Sequence, residues 1–209
     1  MSVKINNKLD LVFILDTTSS MGSYIQAAKT SINLIYDSIV KAEMCHLRIA
    51  LVNYRDHPPQ DTTCLTKCID FTDDISLLKK SLDSTNAHGG GDLPEAVCCG
   101  MEQALNGVTW RNDAVKIAIL ITDAPPHGLG CSGDCLANGC PLNNDPVAIA
   151  HKMAHSEITL YCIGCGITSD MFKSFFQAIS LITGGQYLEL NQAEDLAKLI
   201  INGTHEEVS

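Results

Sequence analysis

With 209 residues, 45% hydrophobic content and a mildly positive mean hydropathy, the chain is long enough to bury one sizeable core, and residues 1–209 are expected to form a single domain. A formal charge of −10 and a pI near 5.0 exclude a nucleic-acid surface or an anionic membrane as the natural partner, because the phosphate contribution to such binding needs clustered Lys and Arg. A metal ion or a basic partner suits this balance better.

The amino terminus, MSVKINNKLD, is polar and runs into the first strand, with neither a secretory segment nor a span of about 20 apolar residues, so a cytoplasmic protein without membrane insertion is expected. Leu11 to Gly22, LVFILDTTSSMG, opens as an apolar strand ending at Asp16 and hands over to a hydroxyl-rich turn. Ile25, Ala28, Ile32, Ile35 and Ile39 then recur at helical spacing, which predicts a helix from Tyr24 to Val40. Leu47 to Tyr54 reads as a second strand. The polar turn Arg55 to Asp61 follows, and then a weaker, short edge strand from Cys64 to Phe71. Ile75, Leu78 and Leu82 predict a short helix that ends in the loop Ser84 to Asp92, where three successive glycines allow close approach of the backbone. Pro94 is expected in the first turn of a helix carrying Val97, Met101 and Leu105.

Ala114 to Thr122 is a second clear apolar strand that also stops at a carboxylate, Asp123. The Gly-, Pro- and Asn-rich segment Ala124 to Asp145 exceeds ordinary connection lengths and is therefore functional or mobile. Pro146 opens another helix, and a strand (Ile158 to Ile163), a helix (Ser169 to Ile182), a strand (Gln186 to Leu190) and a helix (Glu194 to Ile201) complete the chain. Alternating units of this kind predict a doubly wound, mostly parallel six-stranded sheet with helices on both faces and one short antiparallel edge strand.

Two strands of one sheet that both end in Asp place Asp16, Thr18, Ser20 and Asp123 at its carboxyl edge, where open α/β sheets bind ligands. Hard oxygens of this type suit Mg2+, with Mn2+ or Ca2+ as alternatives. A plainer reading remains beside it: Asp16 caps a helix while the hydroxyls solvate a turn. Asp56 and His57 lie near the same edge, and turn polarity explains them as well.

The Asp16-Thr17-Thr18-Ser19-Ser20 run and the later Ile121-Thr122-Asp123 strand end resemble the D-x-[S/T]-x-S signature and late aspartate of the von Willebrand factor type A domain, over nearly the whole chain. The stretches His88 to Glu95 and Thr122 to Gly128 are similar to the branch found with alpha-type protein kinases and hemicentin-like proteins. This resemblance implies a metal-ion-dependent adhesion site in which Thr18 and Ser20 bind the cation directly. Asp16 and Asp123 would act directly or through water, and a partner's group would complete the shell. The family usually supplies a threonine from the middle loop. Here Asp92 takes that place, which makes the site more negative and counts against an acidic partner. Asp92-Leu93-Pro94-Glu95 equally has the D-x-x-E form of a capping box.

Ten cysteines are read as mostly reduced thiols, since several sit in apolar periodic segments and a chain this long needs no disulfide staples. His127, Cys131, Cys135 and Cys140, with Asp134 between, offer a conceivable zinc set but lack paired C-x2-C spacing. Cys162-Ile163-Gly164-Cys165 has redox-motif spacing but ends a strand, so packing is the better account. The function expected from all this is a non-enzymatic module engaging a protein partner through a cation at the metal-bearing edge. A Mg-dependent phosphatase-type hydrolase and a metal-independent scaffold are the alternatives. The hydrolase needs D-x-D, and Thr18 stands at the second position.

Overall fold

A computed structural model describes residues 8–41, 45–192 and 198. Six strands form one sheet: β1 (Lys8–Asp16), β2 (His46–Tyr54), β3 (Thr66–Thr72), β4 (Val115–Thr122), β5 (Ile158–Gly164) and β6 (Tyr187–Glu189). Their spatial order is β3-β2-β1-β4-β5-β6, and every pairing is parallel except the antiparallel edge pair of β2 with β3. The expected sheet is therefore present, with the antiparallel strand at the expected edge. The helices are α1 (Ile25–Lys41), α2 (Ile75–Ser84), α3 (Val97–Asn106), α4 (Pro146–His155) and α5 (Asp170–Ile182). The expected helix from Glu194 to Ile201 lies outside the described residues except at Lys198, which is helical.

β1 is apolar on both faces because both are covered, as a central parallel strand requires. Leu9, Leu11, Phe13 and Leu15 point to one side and pack with Ile32, Ile35 and Ile39 of α1 and Leu78 and Leu82 of α2. Val12 and Ile14 point to the other, into a core built from α3, α4 and α5, including Met101, Met153 and Phe176. Successive connections from β1 leave in opposite directions, so the reversal of strand order falls between β1 and β4. Their carboxyl ends flank the crevice that such a reversal opens.

The structure departs from expectation at Pro94. This residue precedes the helix instead of sitting in its first turn, and α3 begins at Val97 with Ala96 as its cap. The backbone of this stretch is used elsewhere: Glu95 N donates to Pro125 O at 3.0 Å and Ala96 N to Arg55 O at 3.0 Å. Those bonds tie the approach to α3 to the ends of β4 and β2, so the helix cannot start earlier. α3 also lies very close to the sheet. A Cβ on Gly100 would come within 2.7 Å of Tyr54 Cδ1 and 3.0 Å of Ile14 Cγ2. Gly100→Ala is therefore expected to destabilise by about 1–3 kcal/mol through overpacking, even though alanine is the better helix former. A urea titration showing equal or greater stability for the variant would contradict this close approach.

Candidate functional site

Asp16 closes β1 and is fully buried. Its Oδ1 accepts the Thr18 N–H at 2.9 Å and the Thr18 hydroxyl at 2.7 Å, a local loop that a carboxylate makes with a residue two positions on. Its Oδ2 accepts from Thr122 Oγ1 at 3.0 Å and Tyr54 OH at 3.3 Å, so β4 and β2 both help to aim the carboxylate of β1. On the exposed side, Ser20 Oγ donates to Asp123 Oδ1 at 3.0 Å. Four of the five residues expected from the sequence thus form one chain of contacts running from a buried carboxylate to solvent.

The two hydroxyls show what this chain can hold. A hydroxyl carries one proton, and Thr18 gives its proton to Asp16 while Ser20 gives its own to Asp123. The two hydroxyl oxygens lie 3.2 Å apart, each with a carboxylate on its other side. Two oxygens bound side by side to octahedral Mg2+ at 2.0–2.1 Å would be about 2.9 Å apart. The pair is thus close to the spacing a small divalent cation requires.

The charge around the hydroxyls points the same way. Burial, with Asp123's charge adding to it, pushes Asp16 up to about 6 against the lowering effect of its bonds from Thr18. Burial raises Asp123 as well. A further acid, Glu95, is 2% exposed, and burial followed by the charges of Asp16, Asp56 and Asp123 pushes it up to about 10. Its Oε2 is buried without a hydrogen-bond partner. Buried carboxylates repelling one another need either protons or a cation, and this donor set of carboxylates and hydroxyls suits a hard cation.

Sequence reasoning missed Glu95 as a site residue, because its D-x-x-E spacing reads locally as a cap. The glycine loop places it instead. Gly89 and Gly90 have φ of +81° and +79°, a region glycine enters freely. His88 N donates to Thr17 O at 2.9 Å and Ser19 N to Gly89 O at 3.0 Å, which presses this loop against the turn after β1. A Cβ on Gly90 would stand 2.6 Å from Glu95 Oε1 and 3.3 Å from Thr18 Cβ.

Asp92 is drawn elsewhere. Its Oδ2 accepts the Cys135 N–H at 2.8 Å, and its carboxyl lies with those of Asp56 and His127's ring within a 4.8 Å cluster. The capping box does not form, since the helix begins five residues later at Val97. His127 is held between two carboxylates, Nε2 at 2.7 Å from Asp56 Oδ1 and Nδ1 at 2.8 Å from Asp134 Oδ1. Burial alone would lower its pKa, but the bonds and charges of Asp56 and Asp134 prevail and raise it. Asp134 also accepts from Gly128 N and Leu136 N, both at 2.8 Å. The long loop from Ala124 to Asp145 is thereby fastened beside the crevice.

His127, Cys131, Cys135 and Cys140 are not brought together as a zinc set. Both His127 nitrogens are engaged by carboxylates, and Cys135 is exposed. Cys140 instead turns inward to Cys99. Cys162 and Cys165 are both buried, in keeping with a packing role, and all ten cysteines are free thiols. Among the described residues no helix is long and apolar enough to cross a membrane.

Comparison with known proteins sets these features in a family. The family model for the von Willebrand factor A domain matches residues 10–132. Among curated proteins, the chain is 28% identical over 128 residues to the alpha-protein kinase vwkA of Dictyostelium discoideum, covering 61% of this chain and 20% of the kinase. It is 29% identical over 195 residues to a protein of Acanthamoeba polyphaga mimivirus described as an ariadne-like RING finger protein, covering 90% of this chain and 19% of that protein. The chain thus spans about a fifth of the length of these relatives. Among solved structures, the conserved hypothetical protein BatB from Bacteroides thetaiotaomicron superposes with a TM-score of 0.67 at 16% identity, over 96% of this chain and 98% of that one. Proximal thread matrix protein 1 from the mussel byssus, with a zinc-occupied MIDAS motif, gives 0.67 at 17% identity, over 96% of this chain and 47% of that one. The pilus adhesin SpaC of Lactobacillus rhamnosus GG gives 0.66 at 15% identity, over 95% of this chain and 30% of that one.

Proposed function

This chain belongs to the von Willebrand factor A domain family, and we propose that it is a non-enzymatic binding module in which a divalent cation at the crevice, Mg2+ ahead of Mn2+ or Ca2+, engages a protein partner. The observation that carries this reading is the Thr18–Ser20 pair, whose two oxygens lie 3.2 Å apart with a carboxylate against each. Thr18 and Ser20 would hold the ion directly, with Asp16 and Asp123 fixing the hydroxyls and balancing charge. When bound, the cation would act as a Lewis acid open to an oxygen ligand from a partner. Asp92 enters this reading as a rim residue tied to the long loop, and Glu95 as a further buried acid on the Thr18 hydroxyl. Hydrolysis is disfavoured, because Thr18 stands where a D-x-D phosphatase needs a second carboxylate and its hydroxyl donates to Asp16. Residues 1–209 are proposed to form one such domain. Ten free thiols fit a reducing compartment such as the cytoplasm.

Affinity capture with the immobilised chain in Mg2+ or in EDTA tests the reading. Partners are expected in Mg2+ only, and Ser20→Ala, at an exposed position, is expected to lose at least about tenfold in cation affinity together with that capture. The same partners recovered in EDTA would favour a metal-independent scaffold.

A further inference from the structure

Beside the oxygen-lined crevice, three soft donors from separate parts of the chain meet at one point. His57 comes from the turn after β2, Cys99 from the first turns of α3, and Cys140 from the far end of the long loop. Cys99 Sγ lies 3.5 Å from Cys140 Sγ, and His57 Nε2 lies 3.6 Å and 3.4 Å from the two sulfurs. Zinc bound tetrahedrally, with Zn–S near 2.3 Å and Zn–N near 2.0–2.1 Å, sets an S···S edge of about 3.8 Å and S···N edges of about 3.5 Å. The triangle matches those edges to within about 0.3 Å.

Other accounts explain less. A disulfide needs an S–S distance near 2.05 Å, well inside the 3.5 Å found, and gives no reason for an imidazole nitrogen at 3.6 and 3.4 Å from the two sulfurs. Simple packing of small apolar groups does not call for that nitrogen either. The Asn144 side-chain amide donates to Cys99 Sγ at 3.4 Å, the kind of N–H···S contact that supports a metal-bound thiolate. Each donor also sits on anchored backbone. The Asp61 N–H donates to His57 O at 3.0 Å, the Cys99 N–H to Ala96 O at 3.0 Å, and the Asn143 N–H to Cys140 O at 2.9 Å.

We propose that His57, Cys99 and Cys140 form a zinc site, distinct from the oxygen-donor crevice, that staples the end of the long loop to α3 and to the turn after β2. Two sulfurs and an imidazole select a borderline-soft ion, whereas hydroxyls and carboxylates select a hard one. Three protein ligands leave the fourth tetrahedral position to water. His127, clamped by Asp56 and Asp134, fastens the start of the loop, and zinc at Cys140 fastens its end.

The test uses the whole chain, purified under reduction and stripped of metal. Zinc is expected to bind at one equivalent per chain by metal analysis, and Co2+ is expected to give a thiolate-to-cobalt charge-transfer band. Cys140→Ser, on the half-buried loop, and His57→Gln are expected to weaken zinc binding by more than about a hundredfold. Both variants should also abolish the cobalt band or shift its intensity. Asp16→Asn is expected to keep both signals, which separates this site from zinc held by the crevice. Zinc should slow proteolytic cleavage within 124–145 in the wild type and not in Cys140→Ser. A wild type with no charge-transfer band, zinc retained by both ligand variants, or two thiols missing from a thiol count under non-reducing conditions would overturn the proposal. The last result would mean a Cys99–Cys140 disulfide instead.

Discussion

Asp10→Ala is expected to cost the folded chain about 3–5 kcal/mol, the loss typical when one partner of a buried ion pair is removed. Asp10 is fully buried in β1, at the end of the sheet opposite the crevice. Arg48 donates to it from Nε at 3.0 Å and from a terminal nitrogen at 2.7 Å, and Arg111 donates from its backbone N–H at 2.8 Å and its Nε at 2.9 Å. One carboxylate therefore joins β1 to β2 and to the turn that enters β4. Burial alone would raise its pKa, but these bonds and the Arg111 charge outweigh that and hold it below its ordinary 3.8. The sign follows by linkage. With the folded pKa depressed, the stabilisation is present above about 3.9 and is lost as pH falls through the folded value. The gap between wild type and Asp10→Asn should accordingly be widest near neutrality and narrow in acid. Urea unfolding at pH 7 and at pH 3 measures it, and stabilities within about 0.5 kcal/mol of wild type at pH 7 would contradict the assignment. Since Asp10 is remote from the metal loop, cation binding should be unchanged, and loss of stability can be told apart from loss of function.

The second large effect is metal linkage at Asp16. An ion that binds only the folded state stabilises it by about 2.7 kcal/mol at a hundredfold excess over its dissociation constant. Wild type should gain that in Mg2+, and Asp16→Asn should gain little. In chelator the order should differ. Asp16 is fully buried with its pKa raised to about 6, chiefly by burial, so its ionised form opposes folding. Its contribution is most favourable below about 3.9 and is lost as pH rises through about 6. At pH 7.5 in EDTA, Asp16→Asn should thus match or exceed wild type. If Asp16 merely satisfied backbone donors, its replacement would cost roughly 0.5–2 kcal/mol in both media. Four melting curves, each protein in Mg2+ and in EDTA, decide between the two, and equal losses in both media would sink the cation reading.

The two outcomes draw on different information. The strands, most helices and the mostly parallel character of the sheet were legible in the sequence because burial imposes periodicity. β1 and β4 read as unbroken apolar runs since both faces are covered, and α1 shows the three-and-four spacing of a one-sided helix. The edge position of β3 was legible for the same reason, its half-exposed residues diluting the apolar signal. Asp16, Thr18 and Ser20 lie within five residues and Asp123 follows a second strand of the same sheet, so a shared carboxyl edge was legible, and the direct pairing of β1 with β4 brought the four together.

Only the tertiary structure decided the rest, because those contacts join residues far apart in the chain and leave no periodic trace. Pro94 was misplaced since the bonds that delay α3 come from Arg55 and Pro125, in the loops that follow β2 and β4. Glu95 looked like a cap until the glycine loop carried it to Thr18, while Asp92, three residues earlier, went to the long loop. Asp10 sits in an apolar strand, and its arginines come from 38 and 101 residues away. The cysteine loop offered a conceivable zinc set without paired spacing, and folding sent His127 to two carboxylates and Cys140 to Cys99 and His57, since side-chain pairing depends on distance in space and composition records only which donors exist.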